Sequence, residues 1–197
     1  MKRFCILVMS FLIFAVNVYA EETRPFFGIY PGLMYSEMKT SMENAPSLIE
    51  SNLFTEDSST GAFMLVFGNS TSSVRGHLNI LGGKYDDFDL GVVTIAADKI
   101  FSVHDNFNLY MGLSVGYGWL TWNEEMEPLR LKDETATSLV GGGQLGGILK
   151  FCDHFSFDIG YNYLFTKFKT EIICLDAVGE GSLENIGLFY VGANYHF

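Results

Sequence analysis

The chain has 197 residues, with 12 Lys and Arg against 23 Asp and Glu, for a formal net charge of −11. That balance disfavours a nucleic-acid partner, which calls for a basic face, and an aromatic content of 15 % is too apolar for a disordered chain. A length that fits one domain, with 21 glycines among the aromatics, points to an ordered glycine-rich β-protein.

Met1 to Ala20 reads as a secretory signal: Lys2 and Arg3 give the positive start, Phe4 to Val16 is apolar, and Val18-Tyr19-Ala20 supplies the cleavage site. The mature domain is expected to cover residues 21–197. No later stretch supplies the roughly eighteen apolar residues of a membrane helix, so membrane residence has to come from strands. Cys5 leaves with the leader and precedes the apolar run, so no lipid anchor is expected.

Phe26 to Thr40 alternates, with Phe27, Ile29, Leu33 and Tyr35 on one face and Gly28, Gly32 and Ser36 on the other. Pro31 removes a ladder donor there, which predicts a bulge or irregular pairing. Ser41 to Thr60 has loop chemistry. Gly61 to Gly68 puts Phe63, Leu65 and Phe67 on one face, and Ser73 to Gly82 sets Val74, Leu78 and Ile80 against Arg75, His77 and Asn79. Phe88 to Phe101 is a strand of undetermined phase: Phe88, Leu90 and Val92 favour one, Val93, Ile95 and Ala97 the other, and a bulge near Val92 would reconcile them.

Phe107 to Trp119 alternates cleanly, with Leu109, Met111, Leu113, Val115, Tyr117 and Trp119 on one face. Asn123 to Glu134 is a charged loop. Thr135 to Phe151 is a glycine-rich strand, Cys152-Asp153-His154 a turn, and Phe155 to Thr170 the return, with Phe157, Ile159, Tyr161, Tyr163 and Phe165 facing one way. Pairing the two about that turn sets Leu149 opposite Phe157, Gly147 opposite Ile159, Leu145 opposite Tyr161 and Gly143 opposite Tyr163, so that glycines lie beside rings. Glu171 to Ser182 reads as the last loop. Leu183 to Phe197 alternates to the end, with Phe189, Val191, Ala193, Tyr195 and Phe197 on one face.

Eight strands with alternating long and tight connections, an even count, and Gly, Ser and Asn rather than Lys and Glu opposite the greasy face predict an all-β fold. It is an eight-stranded antiparallel up-and-down transmembrane β-barrel with its aromatic face in lipid. Trp119, Trp122, Phe151, Phe155, Tyr195 and Phe197 fall where interfacial girdles would. The last strand should close the cylinder against Phe26 to Thr40. Cys152 and Cys174 then lie at opposite ends of one strand, roughly 50 Å apart, so both thiols are expected free.

YMGLSVGYGW (Tyr110 to Trp119), GGQLGGILKF (Gly142 to Phe151) and FDIGYNYLF (Phe157 to Phe165) resemble strands of small bacterial outer-membrane barrels of the OmpA, OmpX or opacity type, and the likeness covers Phe26 to Phe197. The resemblance implies residence in the outer membrane, in contact with its lipid. It also implies a terminal strand, ending on Tyr195 and Phe197, that the barrel-assembly machinery reads. A monomer is expected.

Arg75, His77, Lys150 and Asp158 point inward on these phases, with Asp89 and His196 as possible additions and Lys150 a diagonal neighbour of Asp158. Such groups make either a charge-gated narrow pore or a plug of paired charges. The outside loops are acidic: Glu43, Glu50, Glu56 and Asp57 in the first; Glu124, Glu125, Glu127, Asp133 and Glu134 against Arg130 and Lys132 in the third; Glu171, Asp176 and Glu180 in the fourth. They suit a host or cell-surface ligand, divalent cations, or solvent alone.

His154-Phe155-Ser156 resembles the start of the lipid A deacylase motif but continues Phe157-Asp158 where that motif has Asn-Ala, and Ser156 belongs to the inward phase. No enzymatic site, cofactor or metal centre is therefore expected. The resulting reading is a structural or surface-interaction protein acting through acidic loops. The alternative is a narrow porin-like channel for small or hydrophobic solutes.

Overall fold

A computed structural model describes the backbone of residues 23–43, 54–85, 88–122, 130–131, 135–174 and 177–197. The leader reading over Met1 to Ala20 lies outside the described residues. Eight long strands follow in chain order: β1 Arg24–Glu43, β2 Phe54–Ser70, β3 Val74–Lys84, β4 Phe88–His104, β5 Phe107–Trp122, β6 Thr135–Lys150, β7 Phe155–Cys174 and β8 Ala177–His196. Each pairs antiparallel with the next, and β8 returns to β1 from Phe26↔His196 onward, so the sheet closes into an up-and-down barrel. A two-residue segment, Arg130–Leu131, pairs with Ile173 and Ile172 of β7.

Alternation decides which side chains face out. On β5, Leu109, Met111, Leu113, Val115, Tyr117 and Trp119 are all exposed, while Tyr110 and Ser114 between them are buried. The same holds for Phe155, Phe157, Ile159, Tyr161 and Phe165 on β7, and for Phe189, Val191 and Tyr195 on β8. A continuous apolar belt of this kind has no place in water. It is the surface of a barrel that sits in a bilayer, where every backbone group must pair within the sheet.

The β6–β7 register is the one the turn dictates, with Leu149↔Phe157, Gly147↔Ile159, Leu145↔Tyr161 and Gly143↔Tyr163. Outward glycines lie beneath rings: a Cβ at Gly147 would meet the Phe107 ring, one at Gly91 the Trp119 indole, and one at Gly187 the Tyr161 phenol. Each ring screens bare backbone from lipid.

Several local expectations are corrected. The β4 ladders run without a register shift through Val92, and the irregularity lies at Ser102/His104. Phe88, Leu90, Val92 and Ala96 face the lumen, while Ile95 and Phe101 face out. The ambiguity arose because β4 is apolar on both faces over its first half. Asp89 is consequently outward and exposed. At Pro31 the pairing is irregular as expected, the ladder to β8 lapsing between Ile29↔Ala193 and Gly32↔Tyr190, but the register is kept there and the bulge falls at Glu37/Met38. Trp122 is buried in the lumen and not in a girdle.

The first and last loops are shorter than their composition suggests. The backbone of Glu43, Glu56 and Asp57 lies in β1 and β2, and Glu171 pairs with Glu180 in the β7–β8 hairpin. Polar composition does not end a strand whose neighbour continues to offer a ladder. Cys152 is exposed in the turn before β7 and unpaired, and Cys174 is the last residue of that strand.

Candidate functional site

The interior has two storeys. The half nearer the chain termini holds a connected polar network. Its centre is Arg75 on β3, whose guanidinium lies 2.8 Å from Asp98 of β4 and 2.5 Å from Asp158 of β7, across the barrel. Asp98 is 0 % and Asp158 2 % exposed. Two carboxylates on one guanidinium are tolerated at such burial only with further donors, and the wall supplies them.

Gln144 of β6 donates to Asp98 Oδ1 at 2.5 Å, and His77 Nε2 lies 3.0 Å from Asp98 Oδ2. The other His77 ring nitrogen is 2.7 Å from Asn79 Oδ1, and Asn79 donates to Thr94. Around Asp158, Asn194 of β8 donates at 2.9 Å, and the Tyr30 hydroxyl of β1 lies 3.0 Å away and 2.6 Å from Asn194 Oδ1. Above the guanidinium, the Tyr110 ring sits 4.5 Å from its carbon, a cation–π contact, and Tyr110 bonds Tyr190 oxygen to oxygen at 2.6 Å. Side chains from all strands but β2 thus meet in one fully buried cross-link.

Glycines make the room. A Cβ at Gly160 would meet the Tyr110 and Tyr190 hydroxyls, one at Gly146 would meet Tyr110, and one at Gly192 or Gly28 would fall on the Tyr30 ring. Gly146 and Gly160 face each other across the β6–β7 ladder, which leaves a bare patch of wall for the tyrosine pair. Gly160→Val is expected to cost about 1–3 kcal/mol through overpacking, read as a lower urea midpoint in lipid, whereas Gly76→Ala, where a Cβ meets nothing within 4 Å, should change little.

Of the four proposed lumen residues, three meet in this network: Arg75, His77 and Asp158. Lys150 does not. It is exposed at the end of β6, paired in register with Ser156 and one inward step below Ile148↔Asp158. There it lines a vestibule of about 660 Å³ with Arg24, Asp105, Cys152, Ser156 and His196. His196 closes the vestibule's inner end through a 3.0 Å contact from Nε2 to Ser156 Oγ, and Ser156 accepts from Asn194. Ser156 is thus a structural hydroxyl of the inner wall. Asp98, Gln144, Tyr30 and Asn194 were not singled out by sequence. The signal was present in the inward phase of β4, β6, β1 and β8, but on β4 that phase could not be read.

The storey above is apolar. Met34, Met64, Val66, Leu90, Val92, Leu120, Val140, Leu164, Phe168, Leu183, Ile186 and Leu188 form one buried cluster. The expectation of a lumen filled by small residues holds only around the tyrosines. Of the acidic loop residues, Glu50, Glu124, Glu125, Glu127, Asp133, Glu134 and Asp176, with Lys132, lie outside the described residues. Tyr195 and Phe197 sit on the outer face at the terminal rim, with ring centroids 5.0 Å apart. Phe197 N donates to Pro25 O at 3.0 Å.

No family model and no curated protein matches the chain. Solved structures do. Neisserial surface protein A (NspA) superposes with a TM-score of 0.58 at 16 % identity, over 86 % of this chain and 97 % of that one. The outer membrane protein OprG from Pseudomonas aeruginosa gives 0.57 at 14 %, over 90 % and 98 %. The outer membrane protein AlkL in DMPC lipid bilayers gives 0.54 at 15 %, over 88 % and 90 %. Identities this low speak for the fold alone, and with the apolar belt, the closed eight-stranded sheet and the inward network the conclusion is that this chain has the fold of the small outer-membrane β-barrels.

Proposed function

We propose that the protein is an integral, monomeric barrel of the outer membrane, inserted by the barrel-assembly machinery, whose work is done at its extracellular end. There the acidic connections and the strand extensions beneath them meet a basic surface or ligand. The observation that carries this reading is the closed lumen: the Arg75–Asp98–Asp158 cross-link spans it, and packed apolar side chains fill the storey above. An aqueous channel needs a continuous polar path, and both storeys interrupt one. Charge complementarity then supplies recognition at the rim, where the acidic composition of the connections raises the encounter rate with a cationic partner.

Liposome swelling tests the reading. Vesicles carrying the protein are expected to take up arabinose no faster than empty ones, and vesicles displaying it outward to adhere to a polylysine surface in a salt-sensitive way. Steady swelling by the wild-type protein would overturn the closed-barrel reading. Adhesion unaffected when Glu124, Glu125 and Glu127 are changed to Gln would overturn the role of that loop.

A further inference from the structure

Where β1 and β8 close the cylinder, the seam lacks a rung at Pro31. Phe197 N donates to Pro25 O across this seam, and the backbone groups of a strand turn to the same neighbour at every second residue. The nitrogen of Pro31 therefore faces β8, and the carbonyl of Val191 faces β1. On its other side β1 keeps its ladder through Pro31↔Phe63, while the ladder to β8 skips Tyr30 and Pro31 and resumes at Gly32↔Tyr190. Proline has no N–H to give, so the Val191 carbonyl looks across the seam at a ring.

That carbonyl lies at membrane depth. Val191 stands six residues before Phe197, about 20 Å along the strand, and Ile29, Ile159 and Val191 itself are exposed on the outer face within the apolar belt. Hydrocarbon offers no donor to an acceptor the sheet leaves bare. The same stretch of wall is hollow. A groove of about 680 Å³ runs from β5 round to β1, lined among others by Pro31, Gly147, Leu149, Ile159, Val191 and Ala193. Its acidic lining residue, Asp158, turns its carboxylate away to Arg75 in the lumen. The groove is continuous with the belt that lipid covers, so its occupant comes out of the bilayer, and the wall asks of it a hydrogen-bond donor partway down an apolar body.

We propose that this groove seats a membrane lipid whose hydrocarbon chain carries a hydroxyl group, the chain lying over Gly147 and Ala193 and the hydroxyl donating to the Val191 carbonyl. A plain saturated chain fills the same hollow but leaves the acceptor bare. A hydroxyl close to the headgroup stays at the rim, so the place of the hydroxyl along the chain decides the fit. The site lies on the membrane face, outside the lumen, and is independent of the surface role at the extracellular end.

The test uses the full protein in vesicles of dibrominated phosphatidylcholine, whose chains quench tryptophan. Phe189→Trp, exposed on the outer face one outward step from Val191, reports in a Trp119→Phe, Trp122→Phe background that removes both native tryptophans. Added 12-hydroxyoctadecanoate is expected to displace the brominated chains and restore emission at about tenfold lower mole fraction than octadecanoate or 2-hydroxyoctadecanoate, the worth of one hydrogen bond out of water. Pro31→Ala gives Val191 its missing donor and completes the rung, so the barrel should fold as before and the three probes should become equal. Ala193→Leu fills the hollow with another lipid-facing apolar group and should weaken 12-hydroxyoctadecanoate by about tenfold. Equal displacement by the three probes in the reporter protein, a preference that survives Pro31→Ala, or displacement indifferent to Ala193→Leu would each overturn the proposal.

Discussion

Arg75→Met is expected to destabilise the folded barrel by about 3–5 kcal/mol, the cost of removing one partner from a buried ion pair. The loss should appear as a lower urea midpoint in lipid vesicles with little change in slope. The reason is the arrangement and not the charge alone: Asp98 and Asp158 are essentially without solvent, and Arg75 is the guanidinium that both contact. The two carboxylates are not left equal. Asp98 keeps contacts to His77 and Gln144, while Asp158 keeps Tyr30 and Asn194, both neutral. Adding Asp158→Asn to Arg75→Met should therefore recover more stability than adding Asp98→Asn, and the triple variant should recover most of it, because matched neutral groups no longer leave a charge buried. A loss below about 1 kcal/mol for Arg75→Met, the scale of an exposed pair, would mean that water reaches the cross-link.

Deleting Phe197 is expected to remove most of the protein from the membrane of living cells while leaving the purified barrel nearly as stable as before. In the folded structure Phe197 gives one backbone hydrogen bond to Pro25 and one ring contact to Tyr195, and its side chain is 70 % exposed. The hydrogen bond contributes about 1 kcal/mol. A stability change of that size alters cellular abundance severalfold, so a much larger deficit, with normal refolding into vesicles of the purified deletion, would identify a role in being recognised before folding. An equal deficit in cells and in refolding would place Phe197 in the structure alone.

Legibility followed one physical condition: whether a strand's two faces differ in chemistry. On β5 and β7 rings alternate with Gly, Ser, Asn and Asp, and both the outward set and the β6–β7 register could be written down from the residues. On β4, Phe88, Leu90 and Val92 are as apolar as Val93 and Ile95, so nothing local marks which set enters the lumen, and Asp98 went unnoticed with it. Lys150 shows the complementary failure. Its phase is inward, but depth along the strand is invisible to alternation, and at the last residue of β6 the lumen has already become vestibule. Trp122 failed for a different reason: an indole suits a girdle and a lumen equally, and only the closed sheet decides.

The unequal lengths of the strands have a further consequence. β1, β7 and β8 run 20 residues each, whereas β3 runs 11. Beyond the irregularity at Phe165/Phe168, the β7–β8 hairpin continues from Phe168↔Leu183 to Cys174↔Ala177, about 20 Å of extended chain. The mouth is therefore cut obliquely, tall along β7, β8 and β1 and low where β3 passes into β4. Among the described residues the wall stands tallest along that hairpin and lowest at Lys84 and Phe88, so this end of the barrel has a front and a back.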